Sequence, residues 1–324
     1  MGARNVLLII GNGFDLDLGL KTGYSDFLRS HFFTDNCERQ SICDDNLENK
    51  HFHVNIFDYL RKQNNIKGWI DLETELSNLA SRRVKNGTLN GQLAYASEKE
   101  NRTFQQLRLS LAEYLRTISY NDLNVHSYAL SILSLLNGTR DSEILTFNYT
   151  DINRLASYIN ERSINIPISY LHGNLEIENG ETSIILGFQD DIEIDDSYCF
   201  MIKSHSPYYR SYNIKSKLNH ADEVIFFGHS LGPTDYPYFA DFFTKQCQPK
   251  NDEEKITVRI FTKDESSRQN VLVQLRNMNQ KHTQMLYEYC DFAIYRTDNM
   301  MDDDKIQAYL SELGSRMQTN MPFY

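Results

Sequence analysis

The sequence predicts an α/β protein with a Rossmann-like, mostly parallel sheet and a large helical insertion. Three observations predict this fold. Short apolar runs, typical of buried strands, recur along the chain. Segments with the apolar spacing of amphipathic helices alternate with several of these runs. One long stretch after the first run has only this helical spacing. Crossover helices between strands make the strands parallel, so the pattern indicates one parallel sheet.

The first predicted strand, Val6 to Ile10, is an unbroken apolar run that leads directly into Gly11-Asn12-Gly13. Such a run is typical of a parallel strand buried on both faces. A helix beginning near Asp15 or Leu16 would direct its N–H groups toward the same crevice, where open α/β sheets bind phosphate-bearing nucleotides. Leu16 stands where the dinucleotide fingerprint has its third glycine, so an ordinary strand-to-helix turn is also compatible.

The remaining predicted elements follow from the same two patterns. Further strands are predicted at 143–147, 168–171, 184–187, 223–227, 257–261 and 292–295, and helices at 151–159, 211–219, 235–247 and 266–279. Between the first two strands, helices are predicted at 24–33, 69–84, 103–119 and 123–136, and a polar loop at 85–101. We therefore expect the first strand and nucleotide loop at 1–34, a helical insertion at 35–140, and the rest of the α/β core with C-terminal helices at 141–324.

Composition excludes several classes of protein. The formal net charge of −11, without a Lys/Arg block, argues against a nucleic-acid partner. The five cysteines are scattered and never form C-x-x-C, which excludes a zinc ribbon and indicates a reducing compartment. The first apolar run is too short for a signal peptide, and no later run is long enough to span a bilayer. We expect a cytoplasmic protein with no membrane partner.

Four polar clusters follow predicted strands, at the sheet edge where α/β proteins bind ligands. They are Gly11-Asn12-Gly13-Phe14-Asp15, Thr146-Phe147-Asn148-Tyr149-Thr150-Asp151, His172-Gly173-Asn174 and Gly228-His229-Ser230-Leu231-Gly232. One such cluster indicates only a turn, whereas four at one edge indicate a shared site. Asp235 either closes the fourth cluster or begins the next helix.

Two side chains in these clusters are candidate catalytic groups. The amide of Asn148 can donate to and accept from a ribose hydroxyl or a water, although Asn148 could instead cap the next helix, a role open to Thr150 and Asp151 as well. His172 is a candidate general base, with Gly173 leaving room beside its ring; a histidine there can also be a satisfied turn residue.

Two other features allow alternative interpretations. Gly228-His229-Ser230-Leu231-Gly232 fits the G-x-S-x-G elbow of a serine hydrolase with Ser230 as nucleophile, followed in order by Asp264 and His282. Against this interpretation, Pro233 and Pro237 interrupt the helix that an elbow requires. Separately, Trp69, Glu73, Leu76 and Ala80 share one helical face, and a carboxylate on an apolar face needs a partner or a role.

Taken in order, these motifs resemble a known family. IIGNGFDLDLGL, with Thr22 and Tyr24-Ser25-Asp26-Phe27, then TFNYTD, LHGN and FFGHSLGPTD, resembles the AbiH family of bacterial phage abortive-infection proteins over nearly the whole chain. The same order is similar to a sirtuin-type NAD site. The matching positions are Gly11, Gly13 and Gly19, then Thr146 and Asn148, His172-Gly173, and Gly228, Ser230 and Leu231.

The resemblance implies an anti-phage protein that cleaves NAD+ to nicotinamide and ADP-ribose. Because the chain lacks the cysteine pairs of sirtuin deacylases, it implies only the NAD-cleaving half of that chemistry. Asn148 and His172 would be catalytic, and NAD would contact Gly11, Asn12, Gly13, Phe14, Asp15, Gly19, Thr146, Asp151, Gly228 and Ser230. No metal is expected, since the leaving nicotinamide already carries positive charge.

The resemblance also implies control of such an activity. An enzyme that consumes NAD must be held off in an uninfected cell, so we expect a trigger, either homo-oligomerisation or a phage-derived partner. The alternative from another class is a sensor that binds NAD or ADP-ribose without cleaving it and signals to a partner.

Overall fold

A computed structural model of the chain describes residues 5–44, 55–67, 71–85, 90–137, 139, 141–178, 180–249, 251 and 255–318. They fall into two compact units. The first unit comprises residues 1–20, 119–171 and 211–324, and the second comprises 21–118 and 172–210. The second unit therefore combines most of the expected helical insertion with residues 172–210, which the sequence assigns to the α/β core.

The first unit is built on a six-stranded parallel sheet in the order β3-β2-β1-β6-β7-β8. Its strands, numbered along the whole chain, are β1 Val6–Ile10, β2 Ser142–Thr146, β3 Ile168–Tyr170, β6 Glu223–Phe227, β7 Thr257–Thr262 and β8 Asp291–Arg296. β1, β6 and β7 are buried along their whole length, which explains their unbroken apolar runs. The predicted Rossmann-like fold is confirmed.

Strand register brings the ends of the three central strands level with one another. Ile10, the last residue of β1, pairs with Thr146 at the end of β2 and with Phe227 at the end of β6. β1 is also the topological switch point, because β2 and β3 lie on one side of it and the later strands on the other. In open α/β sheets, ligands bind at the carboxyl ends of the strands at this point.

Helices complete the first unit. They are α1 Asn12–Asp17, α7 Tyr128–Leu136, α8 Ile214–His220, α9 Tyr236–Gln246, α10 Glu265–Met278, α11 Gln284–Tyr289 and α12 Met300–Gln318, with 3-10 helices Ile152–Ile159 and Pro233–Asp235. One core cluster joins side chains of β1, β6 and β7 to α8, α9 and α10. It includes Ile9, Phe226, Val258, Leu218, Phe243 and Leu275.

The second unit is mainly helical. Its elements are α2 Tyr24–Arg29, α3 His31–Asp44, α4 Ile56–Lys67, α5 Leu72–Lys85 and α6 Asn90–Arg116, the antiparallel pair β4 Ile177–Glu178 and β5 Glu181–Thr182, and 3-10 helices Asp196–Met201 and Lys203–His205. Arg108 of α6 is buried and donates hydrogen bonds to the carbonyls of Thr182 and Ile184. This side chain therefore ties the late segment of the unit to its helices.

Two element predictions were wrong. The apolar run at 184–187 is buried but is not a strand, because the Ile185 N–H donates to the His172 carbonyl and Arg108 takes the Ile184 carbonyl. The predicted loop at 85–101 is largely helical, since α6 begins at Asn90. Strong helix formers follow Asn90-Gly91 and outweigh the turn signal of that pair. Trp69 and Asn86-Gly87 lie outside the described residues.

The structure also bears on the membrane prediction. In the part of the chain that is described, every helix is too short or too polar to cross a bilayer.

Candidate functional site

The loops that follow β1 and β6 pack backbone against backbone. The Gly11 N–H donates to the Phe227 carbonyl at 3.0 Å, and the Gly13 N–H to the Gly228 carbonyl at 2.9 Å. A Cβ atom on Gly11 would lie 2.5 Å from the His229 Cα, and one on Gly13 would lie 2.5 Å from the Gly228 Cα. Gly228 adopts φ +64°. These glycines therefore allow the two loops to touch.

This packing limits the number of backbone N–H groups that the β1 loop can donate to a phosphate. The N–H groups of Gly11 and Gly13 are bonded within the unit, and the Phe14 N–H donates to the Gly11 carbonyl. A pyrophosphate would have to displace these bonds to use the three donors. The Phe14 side chain is buried in the core, where it packs edge-to-face on Phe227 with the ring centroids 5.5 Å apart. Asn12 is exposed as the first residue of α1.

Gly19 has a conformational role in the structure. It adopts φ +84° just after α1, where its N–H donates to the Leu16 carbonyl. Side chains rarely adopt this φ, so the glycine allows the chain to turn away from the helix. The Asn124 N–H then donates to the Leu18 carbonyl and fixes this exit.

Asn148 is held over the β1 loop. It is buried, and its Nδ2 donates to the Gly11 carbonyl at 3.0 Å. Its own N–H donates to the Thr146 hydroxyl at 3.1 Å, so Thr146 shapes the turn that carries it. Asn148 does not cap the next helix: Asp151 does, accepting from the Asn153 N–H at 3.0 Å.

Asp15 is a buried acidic residue at this edge of the sheet. Its carboxylate is only 2% exposed, and the Thr150 hydroxyl lies 3.0 Å from Oδ1 and 2.9 Å from Oδ2. The sequence predicted Asp15 as a contact for the ligand. Its hydrogen-bond partner was visible only as a member of the TFNYTD cluster.

Two tyrosines mark the surroundings of this carboxylate. Burial, together with the negative charges of Asp151 and Asp15, raises the pKa of Tyr170 to about 12. Burial, then the charge of Asp15, also raises the pKa of Tyr120. Both phenols stay protonated at neutral pH. Arg154 stacks over the Tyr120 ring at 3.8 Å. We call Asp15, Thr150, Tyr120 and Tyr170 the Asp15 cluster.

The β6 loop contains a histidine–carboxylate pair. The Leu231 N–H donates to His229 Nδ1 at 3.0 Å, so the ring proton lies on Nε2, which is 3.4 Å from Asp235 Oδ2. His229 and Asp235 are both buried. Asp235 thus closes the fourth cluster, one of the two roles the sequence allowed. The pair itself was not predicted.

Ser230 is exposed in this loop. The acid of the serine-hydrolase interpretation has another role: Asp264 caps α10, accepting from the Ser267 N–H at 2.8 Å and from its hydroxyl at 2.7 Å. Asp264 is therefore already engaged at the start of α10, which counts against its use in a Ser230–His282–Asp264 triad.

In the second unit, His172 belongs to a buried charged cluster. Lys203 Nζ lies 3.1 Å from His172 Nε2 and 2.8 Å from Glu73 Oε2. All three side chains are less than a tenth exposed, Lys203 only 1%. We call Glu73, Lys203 and His172 the Lys203 cluster. It supplies the partner that a carboxylate on the apolar face of α5 requires.

Gly173 explains the sequence pair His172-Gly173. It adopts φ +78°, and a Cβ atom there would overlap the Ser183 carbonyl oxygen. The glycine lets the 172–174 turn lie flat against residues 183–185, where the His172 carbonyl accepts from the Ile185 N–H at 2.7 Å. Lys203 itself gave no signal in the sequence, because it is separated from Glu73 by 130 positions.

The predicted site residues are therefore distributed between the units. Gly11 to Asp15, Gly19, Thr146, Asn148, Asp151, Gly228 and Ser230 belong to the first unit, and His172 belongs to the second. Among the described residues, no three His, Cys, Asp or Glu side chains are grouped as metal ligands.

Comparison with known proteins gives one match. A family model described as bacteriophage abortive infection AbiH matches residues 7–258. No curated protein matches the chain. No solved structure matches it either.

Proposed function

The chain belongs to the bacteriophage abortive infection family AbiH, whose description indicates a role in defence against phage, and we propose that it performs this role as a sirtuin-like NAD+ glycohydrolase. NAD+ would lie along the carboxyl edge of the sheet in the first unit. Water would replace nicotinamide at the ribose C1, giving nicotinamide, ADP-ribose and a proton. The cleavage passes through an oxocarbenium-like state.

The buried Asp15 carboxylate carries the proposal. It lies at the switch-point edge and is oriented by the Thr150 hydroxyl. A fixed negative charge in a water-poor site stabilises positive charge that develops in a transition state. The nicotinamide ring and the oxocarbenium ion are both positive, whereas a phosphate would be repelled. The reacting ribose is therefore the part of NAD+ that fits beside Asp15.

Asn148 would contact the same ribose. Its Nδ2 is held by the Gly11 carbonyl, which fixes the direction of its side-chain oxygen. An amide oxygen so held can accept from a ribose hydroxyl or from the attacking water. His172 is the second proposed catalytic group, in keeping with the H-G motif.

The test is NAD+ consumption by the purified full-length protein, with nicotinamide and ADP-ribose quantified. Wild type should release both in equal amounts. Asn148→Ala and Asp15→Asn should lower turnover by about 10²-fold or more, the usual loss when one electrostatic group is removed. Equal turnover in wild type and Asp15→Asn would refute the role of the carboxylate. The assay is run with and without extract of phage-infected cells, since the proposal includes a trigger.

One observation favours the alternative, a sensor that binds NAD or ADP-ribose without cleaving it. Each proposed catalytic side chain already uses one polar atom within its own unit: Asn148 Nδ2 donates to the Gly11 carbonyl, and His172 Nε2 lies 3.1 Å from Lys203 Nζ. Saturable NAD+ binding by calorimetry, without nicotinamide release in either condition, would favour the sensor.

A further inference from the structure

Arg154 is an exposed arginine at the carboxyl edge of the sheet in the first unit. It lies in the 3-10 helix Ile152–Ile159, about one turn beyond Thr150. Because the Thr150 hydroxyl donates to the Asp15 carboxylate, this position brings Arg154 next to the Asp15 cluster. Burial and then the charge of Asp15 raise the pKa of Tyr120, whereas the charge of Arg154 lowers it. Both charges therefore lie close to the Tyr120 phenol.

The guanidinium of Arg154 is held against an aromatic ring. Its Cζ lies 3.8 Å from the centroid of the Tyr120 ring, which is van der Waals contact. Tyr120 is itself buried, and its carbonyl accepts from the Tyr158 hydroxyl at 2.6 Å. Stacking uses the face of the guanidinium, whereas its five N–H groups lie in the guanidinium plane and donate outward. The arginine is therefore pre-oriented as a hydrogen-bond donor.

The positive charge of Arg154 is not used in an ion pair with any of the described carboxylates. Asp151, three residues earlier, directs its Oδ1 to the Asn153 N–H at 3.0 Å and to the Asn153 side-chain amide at 3.2 Å. A guanidinium binds a phosphate through two parallel, charge-assisted hydrogen bonds. An exposed and pre-oriented arginine of this kind is suited to a phosphate group.

The edge of the sheet is therefore polar in a way that orients a ligand. The glycine motif predicted a phosphate at the β1 loop, but the N–H groups of Gly11 and Gly13 are bonded to the β6 loop. Asp15, two residues further on, is a buried carboxylate that would repel a phosphate there. Arg154 would attract one. A ligand with a cation at one end and phosphates further along matches this arrangement.

We propose that Arg154 binds the phosphate of the ligand, so that NAD+ lies with its nicotinamide ribose beside Asp15 and its pyrophosphate at Arg154 rather than in the β1 loop. The identity of the ligand rests on the proposed function. Arg154 contributes to binding and takes no part in the cleavage of the glycosidic bond.

The first experiment measures ADP-ribose binding to the full-length protein by calorimetry. ADP-ribose retains the pyrophosphate and is a product of the proposed cleavage, so it is not consumed. Arg154→Met should raise Kd at least about tenfold, the usual effect of losing a hydrogen bond to a charged group. Arg154→Lys keeps the charge without the planar fork, and its Kd should lie between those of wild type and Arg154→Met.

Arg162→Met is the matched control. It removes the same charge from an exposed arginine that lies beyond the end of the same 3-10 helix. Its Kd for ADP-ribose should stay within about twofold of wild type, because charges outside the site are screened by salt. Thermal unfolding establishes that each variant is folded at the temperature of the titration.

Three results of this titration would overturn the proposal. Wild type could bind no ADP-ribose, or Arg154→Met could bind it as tightly as wild type, which would place the phosphate elsewhere. An equal loss in Arg154→Met and Arg162→Met would show that only the net charge of the protein matters.

The second experiment tests the phosphate directly, with inorganic pyrophosphate as competitor. Pyrophosphate should displace ADP-ribose from wild type, and its inhibition constant should rise at least about tenfold in Arg154→Met. A merely structural role of Arg154 would leave the affinity for pyrophosphate unchanged. Pyrophosphate that competes equally well in the two proteins would contradict the assignment of Arg154.

Kinetics separate this proposal from the proposed function. Arg154→Met should raise KM for NAD+ at least about tenfold with little change in kcat, because it removes binding that substrate and transition state share. Cleavage of NAD+ with an unchanged KM in Arg154→Met would refute the phosphate site and leave the cleavage standing. Arg154-dependent ADP-ribose binding without nicotinamide release, with or without extract of infected cells, would refute the cleavage and support the phosphate site.

Discussion

Arg316 of α12 pairs with Glu223, the first residue of β6, with 2.7 Å between Nη1 and Oε2 and no exposed surface on the glutamate. The Tyr309 hydroxyl donates to the other carboxylate oxygen at 2.7 Å. Burial, followed by the charge of Glu223, raises the pKa of Tyr309 well above its ordinary value, so the phenol remains a donor. The last helix is thus attached to the sheet at a fully buried charge.

Arg316→Met should destabilise the protein by about 3 kcal/mol, because breaking a buried pair leaves the remaining charge uncompensated. Adding Glu223→Gln should recover more than half of this loss, since the amide keeps an acceptor for Tyr309 and carries no charge. Urea unfolding of wild type, single and double variants measures both effects. A double variant as unstable as the single one would contradict this interpretation.

Gly228→Ala should destabilise the protein by about 2 kcal/mol or more. The alanine would be strained at φ +64°, and its Cβ would overlap the Gly13 backbone. Gly180→Ala is the matched control, because Gly180 has φ +82° and no atom within 4 Å of the added Cβ. Thermal and urea unfolding should show a much smaller loss for the control. Similar losses in both variants would indicate backbone strain alone.

Thr150→Val should affect stability and activity together. It removes the hydroxyl that donates to the buried Asp15 carboxylate. The loss of a donor to a buried acceptor lowers the free energy of unfolding by about 1–3 kcal/mol. We also expect kcat/KM for NAD+ to fall at least about tenfold, because Asp15 loses a hydrogen bond that helps to orient it. Thr150→Ser retains the hydroxyl and should stay within a few-fold of wild type. Unfolding curves and initial rates test the two effects separately.

Asp17 should make the protein less stable as pH rises. Burial raises the pKa of its carboxyl above the ordinary value, although it accepts from the Ala129 N–H at 2.9 Å. The folded state therefore holds this proton to higher pH than the unfolded state, and the stabilisation is lost as pH rises through the folded pKa. Asp17→Asn should thus gain stability relative to wild type between about pH 3 and pH 7.

Asp241→Asn is the control, because the pH dependence of stability that it removes has the opposite sign. The hydrogen bond and charge of Lys215 lower the pKa of the Asp241 carboxyl, so its contribution is present above the unfolded pKa and is lost as pH falls. This variant should lose stability relative to wild type over the same range. Urea unfolding at several pH values decides both signs.

Sequence patterns predicted the sheet well because its central strands are buried on both faces. The runs at Val6–Ile10 and Glu223–Phe227 are unbroken for that reason, and so the periodicity is unambiguous. The run at 184–187 misled the prediction because burial there comes from helix packing and from Arg108. An apolar run reports burial and does not reveal which groups take its backbone hydrogen bonds.

The sequence predicted where the residues of the candidate site lie along the strands, but not which groups they form hydrogen bonds with. Strand ends locate Asn148 and Asp15, since level parallel strands bring their loops to one edge. The contact between His172 and Lys203 was not predicted, because Lys203 lies in an aperiodic stretch of the chain and reaches the ring only through tertiary packing. The glycine motif likewise did not reveal that the N–H groups of Gly11 and Gly13 bond to the β6 loop.

The strand order has a consequence for synthesis on the ribosome. β1 is made before both of its neighbours, β2, which begins at Ser142, and β6, which begins at Glu223. At ~5–20 residues per second, roughly ten seconds or more pass before the second neighbour exists. During that time a fully apolar strand has unpaired edges, which favours association with other chains. β1 can therefore complete its pairing only after residues 223–227 have been made.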